Sequence, residues 1–133
     1  AYTSWTPVIT FVTPGDLSVA YATQVGGYVT VGNLYVVSFN LVFTPTFTTA
    51  SGNLTITGLP VTSNAATGNI AAGSCYTSGM VWPVGYTSLA INAGTSLIGL
   101  VGSITAGNAT NFAANNFTTG VAATIIGTIT YLI

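Results

Sequence analysis

The run from Leu34 to Phe43, LYVVSFNLVF, is the longest uninterrupted strand signal in the chain and constrains its fold more than any other stretch. In extended backbone, side chains alternate between faces. Tyr35, Val37, Phe39, Leu41 and Phe43 therefore share one side, and Leu34, Val36, Ser38, Asn40 and Val42 the other. The first side is wholly apolar and the second mixed, the pattern of a strand with one face in a core. At ~3.3 Å per residue the run spans roughly 33 Å, the height of a small sandwich or barrel, so it predicts a central strand.

Shorter runs repeat the pattern. Val8–Val12 and Leu17–Val25 read as strands on either side of a turn at Pro14 and Gly15, where proline presets φ and glycine accepts positive φ. Asp16 is expected to cap that turn. Gly26-Gly27 predicts a break, Tyr28–Val31 a short strand, and Gly32-Asn33 a tight hairpin turn into the central strand, with pairing over about four residues. Pro45 marks a loop or edge excursion after Phe43. Further strands are expected at Asn53–Thr57, Ser74–Val81, Tyr86–Ile91, Thr95–Ile104 and Val121–Ile133. Gly99 and Gly102 would mark close approach of a neighbouring backbone. Residues 61–73 and 106–120 read as loops, the second anchored by Phe112 and Phe117. About eight to ten strands at this spacing predict one all-β domain over residues 1–133, an antiparallel β-sandwich or jelly-roll-like fold, with residues 1–12 as an N-terminal arm.

Composition enters through what is missing. The 133 residues include no Lys, Arg or His, and Asp16 is the sole acidic side chain, where ordinary domains carry about a quarter charged residues. Two readings compete. In one, copies of the chain or a larger assembly cover most of the surface, so it does not need the charge that keeps monomers apart; in the other, Thr, Ser and Asn serve the solvated faces in place of charge. Either way the accessible chemistry narrows. A Ser or Thr nucleophile has no base to take its proton, so no enzyme is expected. Zinc sites draw on clustered Cys and His, and oxygen-ligand sites on several carboxylates, so no metal or cofactor is expected. Without Lys or Arg, nucleic-acid binding lacks the term that supplies most of its affinity.

Thr, Ser, Gly and Asn interrupt every apolar run before the ~20 residues of a membrane span, so no membrane insertion is expected. The opening AYTSWTP has neither the basic nor the apolar region of a signal peptide, and Ala1 is compatible with a removed initiator Met. Cys75 is the one cysteine and is expected to be a buried, unreactive thiol. The Asn-x-Thr triplets at Asn53, Asn108 and Asn116 are what an Asn- and Thr-rich chain produces by coincidence.

Aromatic residues raise the remaining possibilities. Tyr2 and Trp5 precede the first strand signal, so this end should dock on its own domain or on a partner. Trp5, Trp82 and Tyr86 are candidates for a sugar-binding face, with core or interface packing as the competing use.

The stretch from Trp5 to Pro60 also resembles a β-rich module of tailed-bacteriophage structural proteins, found at tail-fibre ends and on capsid surfaces. The matching marks are the WTP opening, YATQVGGYVTVGN from Tyr21 to Asn33, ASGNLTITGLP from Ala50 to Pro60, and a closing strand with an aromatic near its end. The likeness loosens after Pro60. Where such modules usually carry basic residues, this chain has Gly27, Val29 and Thr30.

The resemblance implies a non-enzymatic virion protein on the outer capsid surface. The leading expectation is a capsid decoration (cement) protein, homotrimeric and bound to the major capsid protein, since the module takes up nearly all of the sequence. Its capsid-facing or subunit-exchanging contacts would be Tyr2, Trp5, Val8 and Phe11. One alternative is a tail-fibre or head-fibre module that recognises host-surface glycan through the loops at residues 61–73 and 106–120, with Trp82 and Tyr86 facing the ligand. Another is an extracellular filament subunit that polymerises by strand exchange.

Overall fold

The computed structural model describes residues 2–66, 71–81, 86–103 and 110–133, with Tyr86 and Ser103 described in their backbone alone. Its strands are β1 (Thr3–Trp5), β2 (Val8–Thr13), β3 (Ser18–Val31), β4 (Leu34–Thr46), β5 (Ser51–Thr57), β6 (Ala71–Ser78), β7 (Tyr86–Ile91), β8 (Ile98–Ser103), β9 (Thr110–Asn111) and β10 (Ala123–Leu132). A 3-10 turn at Ala114–Asn116 precedes the last strand. The strands form one sheet in the order β1-β3-β4-β10-β6-β7-β8-β5-β2, with β9 beside β8. Every pairing is antiparallel, so the fold is of the all-β antiparallel class the alternation predicts.

This sheet is curled into a half-barrel. Strands β1 and β2 stand at opposite ends of the order, yet only Thr6 and Pro7 join them, so the curl has to bring the two ends together. Side chains bridge the seam. The Ile9 amide donates to the Tyr21 hydroxyl at 2.9 Å, and the Gln24 side-chain amide donates to the Pro7 carbonyl at 2.8 Å.

The central strand is β4, and its alternation is realised residue by residue. Tyr35, Val37, Phe39, Leu41 and Phe43 are buried, while Leu34 and Val36 are exposed. Its partner β10 does the same, with Ile125, Gly127, Ile129 and Tyr131 inward and Ile126, Thr128, Thr130 and Leu132 outward. From the other half of the sheet, Phe11, Leu54, Ile56, Leu89, Ile91 and Leu100 join the same core. The two halves meet directly. Phe117 lies 5.6 Å from the Phe11 ring and 6.0 Å from Phe43, and a Cβ on Gly127 would come within 2.6 Å of the Leu89 Cδ1. They face each other across the core as the layers of a sandwich do.

Three local expectations are corrected. Gly26-Gly27 does not break the strand, and the β3–β4 ladder runs from Val31 opposite Leu34 back to Ser18 opposite Thr46, with a shift between Tyr21 and Thr23. The glycines answer to the N-terminal segment, where Tyr2, just before β1, and Trp5, at its end, lay one ring on each face of β3. A Cβ on Gly26 would lie 2.6 Å from the Trp5 indole nitrogen, and one on Gly27 1.9 Å from the Tyr2 ring. Pro45 belongs to β4, where the ladder to β10 has already stopped at Phe43, so its missing N–H interrupts no bond to that strand. Asp16 does not cap its own turn, which closes through the Leu17 amide and the Pro14 carbonyl at 2.9 Å.

Truncating the fully buried Leu41 to Ala should lower the free energy of unfolding by about 2–5 kcal/mol in denaturant titrations. Ser38→Thr, three positions away on the outward face, should change it by no more than about 0.5 kcal/mol.

Candidate functional site

Of the four residues expected to contact a capsid or a neighbouring subunit, two point away from the surface. Trp5 packs edge-on against Phe39 at 6.2 Å, and Phe11 sits between Phe47 and Phe117, each 5.6 Å away. Both are buried in this chain's own core, because β1 and β2 are strands of the half-barrel. Tyr2 and Val8 face outward. Of the two aromatics expected to face a ligand, Trp82 lies outside the described residues and Tyr86 opens β7 with only its backbone described.

A different surface is assembled by the register of β3, β4, β10 and β6. Val31, Leu34 and Leu132 form one outward row across three strands, exposed by 60%, 40% and 44%. Val29, Val36 and Thr130 form the next. A row of small and hydroxyl residues follows, with Gly27, Ser38, Thr128 and Ser74 side by side. Then come Val25, Asn40, Ile126 and Tyr76, where Val25 and Tyr76 are exposed by 55% and 62%.

Tyr2 lies over Gly27 and overhangs a shallow depression of about 250 Å3 that includes Asn40, Ile126 and Thr128. The side-chain Oδ1 of Asn40 is buried there with no hydrogen-bond partner. This face is thus apolar at both ends, hydroxyl-bearing between them, and free of charge. Its sequence signal was present in the second side of Leu34–Val42 and in Ile126 and Leu132, but only strand pairing puts these residues next to one another.

Side-chain charge is confined to one place. The Asp16 carboxylate accepts hydrogen bonds from the Thr48 amide at 2.9 Å, the Thr49 amide at 2.8 Å, and both threonine hydroxyls. The Thr48 hydroxyl, followed by the two amides, holds this carboxyl far below the usual carboxylate range. It thereby ties the β2–β3 turn to the β4–β5 connection. At the other end of the core Tyr131 donates its hydroxyl to the Val61 carbonyl at 2.8 Å and lies 5.7 Å from Tyr35. Burial, with the Tyr35 and Tyr28 phenols adding to it, pushes its pKa up to about 12. Burial likewise raises the Cys75 thiol, which keeps it protonated and poorly nucleophilic. Among the described residues no three of His, Cys, Asp or Glu come together.

The pH profile of stability follows from these groups. Because the folded Asp16 pKa lies below its ordinary 3.8, its contribution is complete above about pH 4 and is lost as pH falls below that value. Tyr131 acts in the opposite sense. Its folded pKa lies above the ordinary 10.0, so its contribution is complete below pH 10 and is lost as pH rises towards 12. The raised Cys75 thiol acts in the same sense as Tyr131 from its ordinary 9.0 upward, so thermal unfolding across pH should show a plateau between about pH 4 and pH 9. Asp16→Asn should lower the midpoint on that plateau, and the gap to the unsubstituted protein should narrow on acidification below about pH 4.

A scan of protein-family models and searches of curated proteins and of solved structures return no match to this chain.

Proposed function

We propose that the chain is a non-enzymatic structural protein of a virion, a capsid decoration protein seated on the outer capsid surface and associated there with copies of itself. The observation that carries this reading is the outward face of β3, β4 and β10, where Val31, Leu34, Val36 and Leu132 on one side of a hydroxyl-bearing row, and Val25 and Ile126 on the other, stand exposed with no charged side chain among them. Covering such a face gains about 25 cal/mol for each Å2 of apolar surface removed from water. Charge that would oppose close approach of two copies is absent.

The phage-module resemblance supports the same strands. Its YATQVGGYVTVGN segment makes up most of β3 with the hairpin turn, and the central strand that follows is β4. At Val29, where such modules are usually basic, this chain pairs an apolar residue with Val36. The partner surface should therefore be apolar rather than acidic. Tyr2, just before β1 and lying over Gly27, extends the contact towards the β1 edge, and Val8 is exposed on β2. A homotrimer that clamps neighbouring major-capsid subunits fits a face of this kind, and its work is the burial of area.

Replacing Val36 and Leu132 together by Glu should leave the far-UV circular dichroism spectrum unchanged, since both side chains point outward. It should weaken binding to particles stripped of the protein by roughly 100-fold or more, because an unpaired carboxylate is costly to bury at an interface. Sedimentation of the purified protein supplies the second readout. A stable monomer that binds stripped particles equally well with and without the two substitutions would overturn the reading.

A further inference from the structure

On the opposite side of the molecule the sheet forks. Strands β5 and β8 pair only at Thr55 opposite Gly99 and Ile56 opposite Ile98. Beyond this the segment following β9 fills the gap. The Phe112 amide donates to the Leu100 carbonyl at 2.8 Å, and the Leu54 amide donates to the Phe112 carbonyl at 2.7 Å. Over the fork lies a cleft of about 300 Å3, with the row Ala90, Gly99 and Thr55 along its floor. The carboxamide residues Asn53, Asn92 and Asn111 line it from three different segments, and Val12 and Leu97, both exposed, form apolar ledges.

Gly99 is the informative residue. The other strand glycines with a described surrounding answer to a local crowding. A Cβ would come within 3.0 Å of a neighbour at Gly26, Gly27, Gly73 and Gly127. At Gly99 the nearest atom to such a Cβ is the Ala90 carbonyl oxygen at 3.7 Å, an ordinary contact, and the backbone is not in the left-handed region. The close backbone approach expected from the sequence is therefore not what calls for glycine. A glycine inside a strand weakens it, and where no neighbour crowds it, close approach of a ligand to the backbone is one use it serves. Any side chain at this position would stand in the cleft.

We propose that the cleft binds a neutral, hydroxyl-rich ligand, one or two sugar rings of an uncharged glycan. Each carboxamide supplies both donors and an acceptor, which suits hydroxyl groups that themselves donate and accept. The apolar ledges suit the C–H faces of a sugar ring. Ionic ligands have no counter-charge here, since the one acidic side chain, Asp16, is engaged by Thr48 and Thr49. An extended peptide would seek a free strand edge, and this cleft lies over the face of paired strands. The site is separate from the apolar face, so a capsid-bound molecule seated by that face would leave the cleft outward.

Saturation-transfer difference NMR tests the proposal on the intact protein, in whatever oligomeric state it adopts. The probes are the methyl glycosides of glucose, galactose, mannose and N-acetylglucosamine, with lactose, each at millimolar concentration. At least one should receive saturation from the protein. Gly99→Leu should abolish that signal with the thermal midpoint unchanged or raised, and Asn111→Ala should weaken binding roughly tenfold, the equivalent of one lost hydrogen bond. If Gly99→Leu does not fold, the double substitution of Asn53 and Asn111 by Ala takes its place as the blocking variant. Silence across the whole panel, an undiminished signal in the blocking variants, or binding of N-acetyl-trialanine amide in place of every sugar would overturn the proposal. None of these outcomes bears on the apolar face, so the capsid reading stands or falls by its own test.

Discussion

The inward row of β4, from Tyr35 to Phe43, is the contact on which the rest of the molecule depends. Its side chains meet inward residues from both halves of one sheet, and the sheet can present those residues only by curling back on itself. Curling then sets the other features. It leaves β1 and β2 as the two ends of the order, two residues apart in sequence, with Tyr21 and Gln24 bridging them. It also brings Phe117, from the turn before β10, into contact with both Phe11 and Phe43.

A chain with almost no charge has to satisfy its polar groups by other means, and the structure shows how. Threonine hydroxyls and backbone amides surround Asp16. The Ser63 hydroxyl donates to the Asn92 carbonyl at 2.8 Å, and the Asn116 side chain accepts from the Ala113 amide at 2.9 Å. These bonds are short in reach and tie loops to nearby strands. Longer-range attraction and repulsion are nearly absent, so what this protein meets in solution is decided by shape and by apolar area. That is why its two outer faces deserve separate readings. The face of β3, β4 and β10 is broad, with apolar rows on either side of a hydroxyl-bearing one, whereas the fork between β5 and β8 is small and lined by carboxamides.

Strand identity was legible along the chain because alternation is a local property. The ten residues from Leu34 to Phe43 and those from Ile125 to Leu132 take the faces that their pattern dictates. Glycine was the weak point of the reading. Gly26 and Gly27 look like a break in the sequence, yet they are a landing site for two rings that are remote in sequence. Trp5 and Phe11 look like sticky surface residues of an arm because the partners that bury them, Phe39, Phe47 and Phe117, come from strands and turns far along the chain.

By itself the sequence determined the class of fold, the central strand, the side of that strand which enters the core, and that Asp16 is the one acidic side chain. All of these follow from the alternation of neighbouring residues or from which side chains exist at all. Only the tertiary structure decided that Asp16 serves Thr48 and Thr49, that Val36 lies between Val29 and Thr130, and that β5 and β8 part around Phe112. Each of these depends on the register between strands distant in sequence, and register is fixed by how the whole core closes, which no local window of residues contains.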